Sequence, residues 1–563
     1  MRLLDSRRLT GPNAVWEHPG AVIDVRFGDI DPELVIGAWQ HAVRRLLDEV
    51  GWRDESFCVR RFTGGASLAI SAPVDALYTA TEINDAAWDA ARDMIEGGQR
   101  QLLLRVARQL REDVRDEERP RLQRLLREAR ERAVPALVDT EEVSLGLGCR
   151  SVCWELADVP HPDDVDWQRL GTIPVCLVTG TNGKTTSVRL LSAIGAAAGL
   201  VTGVSSTDWL ALGGEVLDRD DYAGPQGART ILRHPRCELA ILETARGGLL
   251  RRGLAVEHAN AALITNIAAD HMGEFGVHDL DELADVKWTV TRALDADSVL
   301  VLNADDPQLV ARAQRTPARL VWFSPNPKNP VLAAHVAAGG SAVTVQRGRI
   351  MLLQGSHAEA VIPVKRVPIT FGGAAAHNVV NALGAAGLAH GLGMATDHIA
   401  AGLASLAADD NPGRANRYQR GGVEVWLDFA HNPHGLEALV AMLQRLPARR
   451  RLLIIGQAGD RSDGDIRDLA VAAGSGFDRV LIKRLEGHAR GREPGEVAAL
   501  LRQAFRDAGY GSRQLSIVAS ELGALRAALR WAQSGDQVLF LAHEDKQAAT
   551  RQLQRWAAKD KKE

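Results

Sequence analysis

The stretch Val175–Leu191 reads VCLVTGTNGKTTSVRLL and holds the residue types of a phosphate cradle. The apolar run Val175 to Val178 predicts a buried strand. A small polar turn, Thr179-Gly180-Thr181-Asn182-Gly183, follows it. Lys184, Thr185 and Thr186 then open an amphipathic stretch with Val188, Leu191 and Ile194 toward one side. Glycine lets the backbone approach an anion, and the free N–H groups at a helix start point at it. A lysine reaches outer phosphates and a threonine hydroxyl ligates Mg²⁺. Gly180, Thr181, Asn182, Gly183, Lys184, Thr185 and Thr186 are therefore the expected nucleotide-binding residues. The usual pattern has glycine at position 178, where this chain has Val178, so the loop is a shortened version. The competing reading is a plain strand-to-helix turn with a chance Gly-Lys-Thr.

The elements around this loop alternate strand and helix, which implies a mostly parallel sheet covered on both faces. Glu238–Leu242 reads as a strand ending at Glu243. Ala261–Asn266 leads to Asp270-His271, and Ser298–Leu302 runs into Asn303-Ala-Asp305-Asp306-Pro307. Ligands of open parallel sheets lie beyond the carboxyl ends of the strands. Glu243, His271 and the loop threonine Thr185 can there share a metal that bridges phosphate oxygens. A purely structural role for Glu243 or His271 competes with that reading.

With 563 residues the chain has room for three or four domains. Its 46% hydrophobic content supports buried cores, and a net charge of −4 calls for neither nucleic acid nor an anionic membrane. No apolar run has the length of a signal peptide core or a membrane span. The five cysteines are an odd, scattered set, which fits a reducing, cytoplasmic compartment. Cys149 and Cys153 lack metal-site partners and are expected to be structural.

Residues 1–168 carry no phosphate loop. Val22–Phe27 alternates like a half-buried strand, and Pro32 to Val50 has helical spacing with Val35, Trp39, Val43 and Leu46 toward one side. Asn84 to Ala133 is mostly helical in pattern, with a break at Gly97-Gly98 and a new start at Pro120. From Gln99 onward it is dense in arginine and glutamate. Such runs are usually solvated faces held by i,i+4 pairs, and an arginine-lined groove for an acidic chain is the alternative. Pro160 to Trp167 reads as a linker. From about Asp409 a second parallel set is expected, with strands at Val423–Leu427, Arg451–Ile455, Arg479–Ile482 and Gln537–Leu541. Asp460, Arg461 and Asp463 fall on a loop that suits a cationic or ammonium group, or else form a solvated helix N-terminus. Lys559 to Glu563 reads as a frayed tail. The expected fold class is α/β. It comprises an amino-terminal α+β domain (1–168), a central P-loop parallel-sheet ATPase domain (169–408) and a carboxy-terminal Rossmann-like α/β domain (409–563).

The motifs GTNGKTT, LETARGG, TNIAADH, LADVK, LNADDP and HNVVNALGAA follow in order and resemble those of the Mur ligase superfamily. Arg246–Gly253 and Gly459–Arg467 are similar to the ligase half of cyanophycin synthetases. Leu9–Asn13 and Val143–Gly148 resemble the amino-terminal domain of those enzymes. The resemblance implies an ATP-dependent amide ligase that makes an acyl phosphate and joins it to an amino-acid amine, with ATP and Mg²⁺. It implies Lys184 on the outer phosphates, Thr185 on Mg²⁺, and Glu243 and His271 on metal near the γ-phosphate. It matches Lys287 to a lysine that many members carry as a carbamate; a plain surface or phosphate-facing lysine is the alternative. It places Asn378 and Asn381 on the adenine side and assigns Arg414 to the nucleotide. Asp428 is placed at the ribose, and His431 and Asn432 at the closing interface. His377 is expected to be structural.

One departure limits the resemblance. Cyanophycin synthetases place an ATP-grasp domain between the amino-terminal domain and the Mur-like half, whereas here residues 168–174 alone separate Trp167 from Val175. The expected partners are thus an amino-acid or peptide substrate and a separate ATP-grasp ligase, and a homo-oligomer is compatible. Two other functions compete: a catalytically silent scaffold subunit, and an ATP-dependent phosphoryl transfer such as a kinase's.

Overall fold

A computed structural model describes residues 1–97, 103–270, 272–273 and 275–558. His271, Gly98, the start of the arginine-rich stretch at Gln99 and the tail Lys559–Glu563 lie outside the described residues. Among the described residues the strands form sheets of four, three, eleven and six strands.

The four-stranded sheet is antiparallel and orders Arg2–Leu9, Gly20–Arg26, Gly65–Ser71 and Phe57–Phe62. Helices Pro32–Val50 and Leu77–Glu96 cover one face, burying Val35, Trp39, Val43 and Leu46 against Ala21, Ile23 and Val25. The strand expected to be half-buried is buried on both faces. Its alternation is as expected, but the polar face is covered: Asp24 accepts from Arg7 Nη1 at 2.6 Å and from Ser67 Oγ at 2.6 Å. Pairing of that kind is what lets a carboxylate sit inside.

The helix Leu77–Glu96 stops at Gly97, whose φ of 72° favours glycine, and Pro120–Glu131 begins at the expected proline. Arg105, Arg108, Arg121, Arg124 and Arg127 face solvent. Glu117 instead fixes the fold, accepting from the Tyr78 and Thr79 N–H groups at 2.9 and 2.7 Å. The stretch expected to be a linker is packed. Val159, Val165 and Leu170 bury against Leu122 and Leu125 of the preceding helix and Val143 and Leu145 of the small sheet. Apolar residues at those intervals give the segment enough buried area to hold it. Cys149 and Cys153 are exposed and free.

In the eleven-stranded sheet, Thr202–Ser205, Leu239–Glu243, Val175–Thr179, Ala261–Ile264, Val299–Asn303, Arg319–Ser324 and Ser341–Gln346 run parallel in that spatial order. Antiparallel strands extend both edges. The phosphate-loop strand is central and uniformly buried, as a strand covered on both faces must be. The helices Lys184–Ala197 and Ala376–Gly391 pack on one face. The six-stranded sheet orders Asn416–Arg420, Val423–Asp428, Gln537–Leu541, Arg451–Ile455, Arg479–Lys483 and Leu515–Val518, parallel except at its first strand. Among the described residues, no helix is long and apolar enough to cross a membrane.

Candidate active site

Between the strand Val175–Thr179 and the helix Lys184–Ala197, the loop turns on two glycines where any side chain would be strained and crowded. Gly180 has a φ of 141°, and a Cβ there would meet Thr265 Oγ1 at 1.9 Å. Gly183 has a φ of 85°, and a Cβ there would meet Asn381 Oδ1 at 2.1 Å. Asn266 and Thr265, from the end of the neighbouring strand, brace the loop. The Thr181 N–H donates to Asn266 O at 2.9 Å, the Asn182 N–H to Asn266 Oδ1 at 3.0 Å, and Thr265 Oγ1 to Asn182 O at 2.6 Å. Lys184 curls over the loop and donates from Nζ to Gly180 O and Thr181 O, both at 3.1 Å.

Glu243 ends its strand beside this helix start and is buried. Its Oε2 accepts from Thr185 Oγ1 at 2.9 Å and from the Thr207 N–H at 3.3 Å, while Oε1 has no partner. Burial raises its pKa, opposed by Lys184 and the Thr185 hydrogen bond. A buried carboxylate oxygen without a partner, next to a hydroxyl and a phosphate loop, fits a hard divalent cation. Among the described residues no group of three or more His, Cys, Asp or Glu is placed to hold a metal. The remaining expected ligand, His271, lies outside the described residues.

Lys287 is buried and donates from Nζ to Gly180 O at 2.9 Å. Burial and the nearby Lys184 hold its pKa well below the usual lysine range. It is thus not a surface lysine. Asp270 pairs with His431 Nε2 at 3.7 Å and Arg461 Nη2 at 3.6 Å, joining the central sheet's strand ends to the six-stranded domain.

Asn182 makes a second such link. It exchanges amide hydrogen bonds with Asn432, at 3.2 and 3.1 Å, and donates to His434 Nδ1 at 2.9 Å. Asp428 is buried, and its two oxygens accept from the Ala415 and Ala430 N–H groups, both at 2.7 Å. Burial raises its pKa. Arg414 stands 3.8 Å from Asp208 and 5.4 Å over the Phe429 ring. Asn378 and Asn381 share one helix face: Asn381 Nδ2 donates to Asn378 Oδ1 at 3.2 Å, and Asn378 Nδ2 to Ile369 O at 2.8 Å. Burial pushes His377 down to about 4, so it is neutral.

Thr186 has a different side-chain partner from Thr185. Its hydroxyl accepts from Asn411 Nδ2 at 3.2 Å on the far side of the helix start. Successive helical residues project about 100° apart, so the Thr185 and Thr186 hydroxyls meet different partners. Arg189, one turn on, donates to Asn411 Oδ1 and Asp208 Oδ2, both at 2.5 Å, so this helix grips the chain between the two large sheets. On the outer loop, Asp460 is exposed and pairs with Arg490, and Asp463 pairs with Arg492 at 2.8 Å. Ser462 caps the helix Asp463–Ala473, so this segment is a helix N-terminus, and Arg461 beside it pairs with Asp270.

The sequence reading missed Thr207, Asp208, Asn266 and Asn411. Asn266 lies within TNIAADH, and its strand-end position was the available signal; nothing local marks the other three. Two motifs read separately, Leu9–Asn13 and Arg246–Gly253, pack together. Arg7 Nε donates to Leu250 O at 2.8 Å, the Thr10 N–H to Arg252 O at 2.8 Å and the Leu254 N–H to Pro12 O at 2.6 Å.

Comparison with known proteins shows the family. The family model described as Mur ligase middle domain matches residues 178–389, and that described as Mur ligase, glutamate ligase domain matches residues 413–543. Cyanophycin synthetase of Trichormus variabilis is 34% identical over 394 residues, 70% of this chain and 43% of that protein. UDP-N-acetylmuramate–L-alanine ligase of Stenotrophomonas maltophilia is 28% identical over 375 residues, 65% of this chain and 71% of that protein. Escherichia coli FolC in complex with ADP, without folate substrate, aligns with a TM-score of 0.51 at 21% identity, over 69% of this chain and 90% of that one. That likeness concerns the fold. The chain belongs to the Mur ligase family. It spans less than half the length of the cyanophycin synthetase it matches.

Proposed function

We propose that this chain is an ATP-dependent amide ligase that activates a carboxylate as an acyl phosphate and joins it to an amino-acid amine. The observation that carries this reading is the cluster at the loop 180–183: Lys184 and Lys287 both bond its Gly180 carbonyl, and Thr185 bonds Oε2 of the buried Glu243, whose Oε1 has no partner. Residues 169–408 would bind ATP, 409–563 would present the amine, and 1–168 would hold the carboxylate-bearing chain.

A carboxylate anion is a poor electrophile. Transfer of the γ-phosphoryl group from ATP to one carboxylate oxygen releases ADP and gives an acyl phosphate with a good leaving group. The amine then attacks the carbonyl carbon, the amide forms, and phosphate leaves while the amine loses a proton. Lys184 would leave its two loop carbonyls to meet the phosphates and neutralise charge on the transferring group. Thr185 and Glu243 would hold Mg²⁺, with His271 as a further ligand. Mg²⁺ supplies charge neutralisation at the phosphates when bound. Lys287, whose burial and neighbour Lys184 disfavour its charged form, is suited to reaction with CO₂ as a carbamate. The links Asn182–Asn432 and Asp270–His431 would close the two large domains and exclude water from the acyl phosphate.

The substrates we infer are a cyanophycin-like polymer or peptide as acid and an amino acid as amine. No ATP-grasp domain lies between the amino-terminal sheets and the central one, since the interval is filled by short packed turns. A separate ATP-grasp ligase would then perform the alternate ligation. A ligase of this kind draws on cytoplasmic ATP. The test is a phosphate-release screen of purified protein with ATP and Mg²⁺ against amino acids paired with short β-aspartyl peptides. Release that requires both acid and amine supports the proposal. Release without amine, or none with any pair, refutes it.

A further inference from the structure

The six-stranded domain buries an ion pair that the ligation chemistry above does not use. Lys483 ends the strand Arg479–Lys483 and Glu521 opens the helix Glu521–Trp531, and both side chains are wholly inaccessible. Lys483 Nζ donates to Glu521 Oε2 and to Leu541 O. Burial lowers Lys483 to about 8, although Glu521 opposes that shift.

The carboxylate also collects a turn of backbone. Oε2 of Glu521 accepts from the His543 and Glu544 N–H groups at 2.8 and 3.3 Å, and Oε1 accepts from the Asp545 N–H at 2.8 Å. From that turn His543 Nε2 donates to Ala430 O at 2.9 Å, and the Ala542 N–H donates to Asp428 O at 2.8 Å. Ala430 lies in the loop Phe429–Asn432, whose last residue pairs with Asn182 and whose His431 meets Asp270.

A buried ion pair is a poor source of net stability, because desolvation of both charges offsets their attraction and apolar residues of the same size do as well. This pair does what apolar residues cannot: it gives three successive N–H groups and one carbonyl their partners at the strand ends facing the cleft.

We propose that Lys483 and Glu521 are positioning residues for the candidate ligase site. The pair fixes the turn His543–Asp545, and His543 transmits that fixation to the loop that docks on Asn182 and Asp270. The activity consequence rests on the ligase reading; the positioning itself does not.

The test uses full-length protein carrying Lys483→Met with Glu521→Gln, which removes both charges and retains an acceptor, and separately His543→Leu. Hydrogen–deuterium exchange is followed with Mg·ADP present. Amides of 428–434 should exchange at least tenfold faster than in the parent, while those of 175–179 stay within twofold. Exchange at 428–434 within twofold of the parent overturns the proposal. In the phosphate-release assay, kcat/KM for the amine should fall at least tenfold with ADP affinity within threefold; equal losses in both refute a positioning role. If the parent shows no amine-dependent release, the ligase reading fails and the exchange result still decides the positioning. If the double variant does not fold, His543→Leu lies outside the pair and carries both measurements, and unchanged exchange there overturns the proposal.

Discussion

Glu243→Gln should make the nucleotide-free protein more stable and the enzyme worse. Glu243 is buried with two contacts on Oε2 and none on Oε1. A buried polar group left unsatisfied costs about 1–3 kcal/mol, and more when charged. Glutamine keeps the acceptor that serves Thr185 and Thr207 and removes the charge, so the variant should gain about 1 kcal/mol, or ~2–4 °C in Tm for a domain of this size. The sign with pH follows from burial, which raises the folded pKa above the ordinary 4.5. The parent loses stability as pH rises from 4.5 through that raised value, while the variant does not. The advantage should thus be present at neutral pH and absent below the ordinary carboxylate pKa. In function, losing one charged contact to the cation costs about 1.5–3 kcal/mol, or roughly ten- to a hundredfold in kcat/KM for Mg·ATP. Differential scanning calorimetry without nucleotide at two pH values, and phosphate release against Mg²⁺ concentration, read both effects. A lower Tm at neutral pH, or a Mg²⁺ dependence equal to the parent's, would refute the reasoning.

Lys184→Ala should abolish turnover with little change in Tm, because it removes charge from the loop and no core volume; near-parental rates at saturating ATP would dismiss the phosphate-loop assignment. Lys287→Ala should be inactive and partly rescued by short-chain carboxylic acids that stand in for a carbamate, which a rate assay with and without added acid decides. Because burial depresses Lys287 below its ordinary 10.5, Lys287→Met should stabilise the protein at neutral pH and lose that advantage above pH 10.5, as chemical denaturation would show. Asn432→Ala should leave ADP affinity within threefold and speed hydrolysis of the acyl phosphate relative to ligation, measured as the ratio of phosphate to amide. Finally, the chain alone should add at most one residue per acceptor end, and a long polymer by mass analysis would contradict the division of labour with an ATP-grasp partner.

The strand, glycine turn and helix from Val175 to Ala197 were legible because their signal is local: an apolar run, two glycines and a helix start within a dozen positions. Glu243 and Lys287 came from strand ends and motif order, and the structure sets both beside the loop. The Thr186 hydroxyl accepts from Asn411, a contact that adjacency to Thr185 hides, because successive helical side chains project about 100° apart. Asn182–Asn432 and Arg189–Asn411 were not legible, since each joins residues more than 200 positions apart and neither has a local pattern. The same holds for Lys483 and Glu521, which look like ordinary surface charges until the sheet brings them together. The prolines and acids of Pro160–Trp167 suggest a linker, whereas Val165 within it and Val159 and Leu170 beside it decide its packing.

The central claim is that a carboxylate becomes an acyl phosphate before an amine attacks it. The most direct measurement uses an accepted acid labelled with ¹⁸O in its carboxylate and mass analysis of the released phosphate. In that chemistry the phosphoryl group leaves with one carboxylate oxygen, so each amide formed should yield one phosphate carrying one ¹⁸O. Phosphate without ¹⁸O, formed in step with the amide, would contradict the account.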